Sequence, residues 1–225
     1  MSRWLCLILL WLGTSAAAQD YVAVPNAPLN DDDFYNLVSC AAAPGGTCAK
    51  PRVRWPEHKA RDLSVAIVAI DQNYPARLRT PIRRALYQAL AEINSAGTGL
   101  QLRRAASGEV PDIAIHLVDQ EMGSTIRNFP EPELNGNEMP AAIFWIWWNG
   151  KKEITQAVIL FANSVVLEEV PSIMVEEVVQ ATGLMTDIGS PWYRDRSIFA
   201  EFSDNTVTRL QPQDLMALRR HYPPG

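Results

Sequence analysis

The run of regular segments downstream of Arg61 constrains this 225-residue chain more than any other feature. Leu63-Ser64-Val65-Ala66-Ile67-Val68-Ala69-Ile70 is rich in β-branched residues and alternates well enough for a strand. Ile82, Ala85, Leu86, Ala89, Leu90 and Ile93 then recur at helical spacing. Pro81, whose fixed φ suits a first helical position, is predicted to open that helix, and Gly97 and Gly99 to stop it. Residues 100–103 read as a short strand and 112–118 as another, with Ile113, Ile115 and Leu117 on one face. After a long polar loop, 119–140, two apolar runs flank Asn149-Gly150, a hairpin signal. A second helix is predicted over 172–182, ending at Gly183 in a left-handed cap, and a last one over 212–222, opened by Pro212. The order β-α-β-β, hairpin, helix, terminal helix implies an α+β fold in which one helical layer covers a mixed sheet.

The N-terminal quarter is different in kind. Arg3 precedes the apolar run Trp4 to Leu12, and Ala16-Ala17-Ala18 provides a small-residue exit. That is the pattern of a secretory signal peptide cleaved after Ala18, and the run is too short to span a bilayer, which takes about 20 residues. The chain is therefore expected in the periplasm or outside the cell, with no membrane span once the signal is removed. Residues 19–60 carry five prolines, the acidic run Asp31-Asp32-Asp33 and no sustained periodicity, so they read as an extension with a short helix near 33–39. Cys6 leaves with the signal. Cys40 and Cys48 remain, and in an exported chain they are expected to form a disulfide around the turn Pro44-Gly45-Gly46. Residues 61–225 form the main domain. The formal net charge of −5 argues against nucleic acid as partner, since phosphate binding needs a basic face.

The chemistry is concentrated in residues 173–187. Met174, Val175, Val178, Ala181 and Thr182 cover one helix face, and Ile173, Glu176, Glu177 and Gln180 the opposite stripe. Glu176 and Gln180 stand one turn apart, the spacing at which two side chains converge on one ion while a carboxylate between them acts as base.

This segment resembles the zinc-binding helix of the metzincin-type metallopeptidases, H-E-x-x-H-x-x-G-x-x-H, with all three histidines replaced. Glu176, Gln180 and Thr186 stand at the ligand positions, Glu177 at the general-base position, and Gly183 at the glycine, with Asp187 following. Ser197-Ile198-Phe199 resembles the methionine turn, with Phe199 in place of methionine. Gln213-Asp214-Leu215, Leu218 and Tyr222 resemble the closing helix. Over residues 60–225 the combined pattern is similar to the bacterial domain of unknown function 2927 family. The resemblance implies a zincin-like fold: a mixed sheet with an overlying long helix, an active-site-equivalent helix and a small C-terminal helical subdomain.

The substitutions change what such a site could do. Glu176 is a plausible zinc ligand, whereas Gln180 and Thr186 are not, and His58, His116 and His221 form no motif. No cofactor is expected, zinc included. Three readings stand side by side: a non-catalytic groove for a peptide or protein partner in the cell envelope; an atypical hydrolase using Glu177 as base, with carboxylate and amide ligands around a hard cation or with no metal; or a solvated helix face. Ile143-Phe144-Trp145-Ile146-Trp147-Trp148 adds one candidate. If this strand borders the cleft as in zincins, Trp145 and Trp147 could be exposed for a ligand. Alternatively the long loop or the extension covers them.

Overall fold

The structure, a computed structural model, describes residues 21–202 and 206–224; the expected signal segment, residues 1–18, lies outside them. At its centre is a five-stranded mixed sheet of order β3-β2-β4-β6-β5. Its strands are β2 (Leu63–Ile70), β3 (Leu102–Arg104), β4 (Ile113–Leu117), β5 (Ala142–Trp148) and β6 (Ile154–Phe161). Strand β2 pairs in parallel with β3 and β4, β4 pairs in parallel with β6, and β5 returns antiparallel to β6 as the Asn149-Gly150 signal requires. The helices are α1 (Asp31–Cys40), α2 (Glu57–Ala60), α3 (Ala76–Ser95), α4 (Val170–Gln180) and α5 (Pro212–His221). Two short strands, β1 (Tyr21–Ala23) and β7 (Asp187–Gly189), pair in parallel in a second sheet. The α+β class is as expected.

Strand alternation divides the apolar residues between two layers. Ile113, Ile115 and Leu117 of β4, with Ala157, Ile159 and Phe161 of β6, are fully buried against α3 and α4. Val158 and Leu160 face the other side, where the loop 119–140 supplies Ile126, Phe129, Leu134 and Met139 as a second core. Burying each such side chain contributes on the order of 2 kcal/mol.

Two expectations are corrected. Helix α3 begins at Ala76 rather than Pro81, which becomes its sixth residue. The chain turns through Asp71–Tyr74, and Leu78, one turn before Ile82, continues the buried stripe upstream. This apolar gain outweighs the one hydrogen bond Pro81 forfeits. Helix α4 begins at Val170 and ends at Gln180, and Gly183 is not a left-handed cap. Its φ is +107°, and a Cβ there would stand 2.1 Å from the Val53 carbonyl oxygen. Residues 21–60 pack onto the main domain. Phe34, Leu37, Val38, Val53 and Trp55 belong to the main core, and the Trp55 indole donates to the Ala181 carbonyl at 3.0 Å. Cys40 and Cys48 are disulfide-bonded as expected, just beyond α1, whose Asn30 cap accepts from the Asp33 N–H at 2.9 Å. The Asp31-Asp32-Asp33 run is that helix's first turn, where acidic side chains meet the positive end of the dipole.

Candidate functional site

Helix α4 is nearly as apolar as it is long. Met174, Val175, Val178 and Val179 sink into the main core. The polar stripe does not point uniformly to water: Glu177 is 1% exposed and Gln180 0%, while Ile173 and Glu176 are partly exposed. A solvated helix face is therefore not what the sequence builds.

Ile173, Glu176 and Glu177 form one wall of a cavity of roughly 280 Å³. Pro140-Ala141-Ala142, the entry to edge strand β5, forms a second wall, and Ala200-Glu201-Phe202 a third. Glu138 and Glu169 also line it, so the cavity carries five carboxyl groups and no basic side chain.

Beneath this cavity lies Asp187, fully buried at the start of β7. The Gln180 amide donates from Nε2 to Asp187 Oδ1 at 2.5 Å. No ordinary donor reaches Asp187 Oδ2 among the described residues, yet the carboxyls of Glu176 and Glu201 lie within hydrogen-bonding reach of this side chain. Two carboxyl groups form a hydrogen bond only when one of them carries a proton. Burial, followed by the charge of Glu201, pushes Asp187 well above the usual carboxylate range, against a smaller opposing pull from Lys50. Burial and then the charge of Asp187 raise Glu176 and Glu177 as well. The arrangement is a carboxyl cluster that burial and mutual repulsion bias toward protonation, with Glu176 and Glu201 lining the cavity.

Sequence spacing located Glu176, Glu177, Gln180 and Asp187 and missed Glu201. The link is a tertiary one. Ile188 N–H donates to the Phe199 carbonyl at 2.7 Å and Glu201 N–H to the Ile188 carbonyl at 3.2 Å, so a bridge between β7 and the 199–201 segment sets Glu201 beside Asp187. Nothing local to Glu201 announces this.

The three ligand-equivalent positions have different surroundings, with Glu176 on the cavity wall. Gln180 presents its amide nitrogen, a donor, to Asp187, and Thr186 is fully buried with no hydrogen-bond partner for its hydroxyl among the described residues. Among those residues no group of three or more His, Cys, Asp or Glu side chains is placed to hold a metal ion. His221 is structural: it is 3% exposed, lies 3.0 Å from the Val53 carbonyl through Nε2, and is held down to about pKa 4 by burial. His58 is exposed on α2, and His116 stacks edge-on against Phe129 on the far sheet face.

The pattern around the helix also has visible structural work. Ser197 Oγ donates to Asp214 Oδ1 at 2.6 Å, and the N–H groups of Ile198 and Gln211 donate to Oδ2 at 3.1 and 2.9 Å. Asp214 thereby ties the Ser197-Ile198-Phe199 turn to the start of α5. Tyr222 donates to the Thr182 carbonyl at 2.6 Å and accepts from the Trp55 N–H at 2.9 Å. Phe199 is fully buried against Phe34, with ring centroids 6.3 Å apart.

Trp145 and Trp147 are not an exposed pair. Trp145 is 5% exposed within the second core, and Trp147 is partly buried against it. The loop 119–140, which reads as merely polar, folds Ile126, Phe129, Leu134 and Met139 onto that face of the strand.

Comparison of the chain with known protein families finds no family model that matches it, and no curated protein matches it either.

Proposed function

We propose that this chain is an exported, non-catalytic relative of the metzincin-like proteins that holds a peptide segment of an envelope partner in the cavity beside α4. One observation carries the reading: the helix face that resembles a zinc-binding stripe is committed to a carboxyl cluster, with Gln180 bonded to Asp187 and Glu176 open to the cavity. Of the three ligand-equivalent residues only Glu176 is an ordinary zinc ligand, while Gln180 offers a neutral amide and Thr186 a hydroxyl, so the residues present fit a zinc ion poorly. The cavity adjoins the entry to β5, the last strand of the sheet, where an extended peptide can lie alongside a strand edge. Its acidic rim, with Glu138 and Glu169 and no basic side chain, favours a segment carrying Lys or Arg. Export, and kinship with the domain of unknown function 2927 family, belong to the same proposal and rest on the N-terminal pattern and the motif resemblance.

A second reading has its own support. Glu177 borders the cavity, and burial biases it toward its protonated form, which suits an acid catalyst and not the general base that the helix spacing suggests. A peptide array probed with the purified protein separates the two. Binding proteins retain selected basic peptides intact by mass spectrometry, and Glu176→Lys with Glu201→Lys abolishes retention. Cleaved peptides, with cleavage lost in Glu177→Ala, would replace the binding reading by the hydrolase.

A further inference from the structure

Helix α3 presents a second charged surface of opposite sign, on a different part of the molecule. Its buried stripe of Leu78, Ile82, Ala85, Leu86, Ala89, Leu90 and Ile93 faces the sheet. Its outer face carries Arg77, Arg83, Arg84 and Tyr87, all exposed. No Asp or Glu occurs in the helix before Glu92. Arg77, Arg83 and Arg84 have no ion pair with a carboxylate among the described residues, and neither does the neighbouring Arg104 of β3. Arg104 instead lies over the Tyr87 ring at 4.9 Å and donates to the Tyr87 hydroxyl, which joins β3's end to the same face.

This placement runs against what helix stability alone selects. The positive end of a helix dipole favours acidic residues, yet the first turns of α3 hold Arg77, Arg79, Arg83 and Arg84 and no acid. Three other arginines do pair with carboxylates, Arg61 with Glu57, Arg103 with Asp62 and Glu109, and Arg220 with Asp32, and the others without one are scattered over the surface instead of following one helix. Four unpaired guanidinium groups along one flank of a chain whose formal charge is −5 are complementary to an external anion, not to the protein itself. The flank follows a helix about 30 Å long. Its aromatic member, Tyr87, has the mixed apolar and polar character that settles at headgroup depth.

We infer that the Arg77–Arg83–Arg84–Arg104 face of α3 and β3 docks on an anionic phospholipid surface, leaving the acidic cavity free for its ligand. No helix among the described residues is long and apolar enough to cross a membrane, so the contact is a surface one. Each arginine near an anionic bilayer strengthens partitioning about fivefold, and salt weakens it. The inference does not depend on what the cavity binds.

The test is co-sedimentation of the full chain with phosphatidylcholine vesicles, with and without phosphatidylglycerol, at low and high salt. The wild type is expected to bind only vesicles with phosphatidylglycerol, and to leave them at high salt. Arg83→Glu with Arg84→Glu is expected to weaken binding roughly 25-fold or more, from the fivefold contribution of each group. Arg127→Glu with Lys151→Glu makes the same change in net charge at exposed sites elsewhere and is expected to bind like wild type. Every protein carries the same N-terminal segment, so the difference isolates α3. Circular dichroism confirms that the variants fold, as surface changes should. Equal losses in both double variants, no loss in the α3 variant, or binding to soluble polyphosphate without binding to vesicles would each overturn the inference.

Discussion

The carboxyl cluster makes stability depend on pH in an unusual sense, and Asp187→Asn isolates it. Unfolded Asp and Glu release their protons near pH 4, whereas folded Asp187 is pushed well above that range by burial and by Glu201. A group whose folded pKa is raised contributes stability that is complete below the unfolded pKa. That stability disappears as pH rises through the folded one. Each proton retained only by the folded state therefore lowers stability by about 1.4 kcal/mol per pH unit. His221, held down to about 4, acts in the opposite sense below the ordinary histidine range, and Asp214, raised to about 6, acts in the same sense as the cluster. Both are common to wild type and variant and cancel in the comparison. Asparagine keeps the oxygen that accepts from Gln180 and offers a permanent donor toward Glu176 and Glu201. Urea unfolding followed by tryptophan fluorescence should show Asp187→Asn gaining on wild type as pH rises above 5, at a slope of at most about 1.4 kcal/mol per pH unit. A difference that does not vary with pH, or a variant less stable than wild type at pH 7, would refute the raised pKa of Asp187.

Two further outcomes follow from the packing around the site. Gly183→Ala would press a methyl group 2.1 Å from the Val53 carbonyl at a φ of +107°, and should lower the unfolding free energy by at least about 2 kcal/mol in the same urea assay. Replacing Cys40 and Cys48 by serine opens a bridge with a sequence separation of 8 and should cost about 2.5 kcal/mol in the chain-entropy model, read as a lower urea midpoint against the oxidised wild type.

What the sequence made legible follows from the range of the forces involved. The central order of strands and helices is written in local periodicity, and so is the hairpin at Asn149-Gly150. The start of α3 was missed because Pro81 is a strong local signal for a first turn. Leu78, the residue that draws the helix upstream, counts only once its burial against the sheet is known. The candidate helix was found from the i, i+4 spacing of Glu176 and Gln180, but spacing cannot say that Gln180 turns to Asp187. Glu201 reaches the cluster through the bridge to Ile188, and Trp145 is covered by a loop whose apolar residues follow no period. Both are facts of tertiary contact. Four arginines stand within residues 77–84, and only the structure shows that Arg77, Arg83 and Arg84 share an exposed flank with Arg104 of β3 and no carboxylate.

The central claim is that the α4 stripe serves a carboxyl cluster and a ligand cavity, not a zinc centre. Its most direct test is the zinc content of the purified chain by elemental analysis, after equilibration with zinc and removal of the free ion, compared with Glu176→Ala. The account predicts far less than one equivalent in both proteins. One equivalent in the wild type, lost in Glu176→Ala, would contradict it.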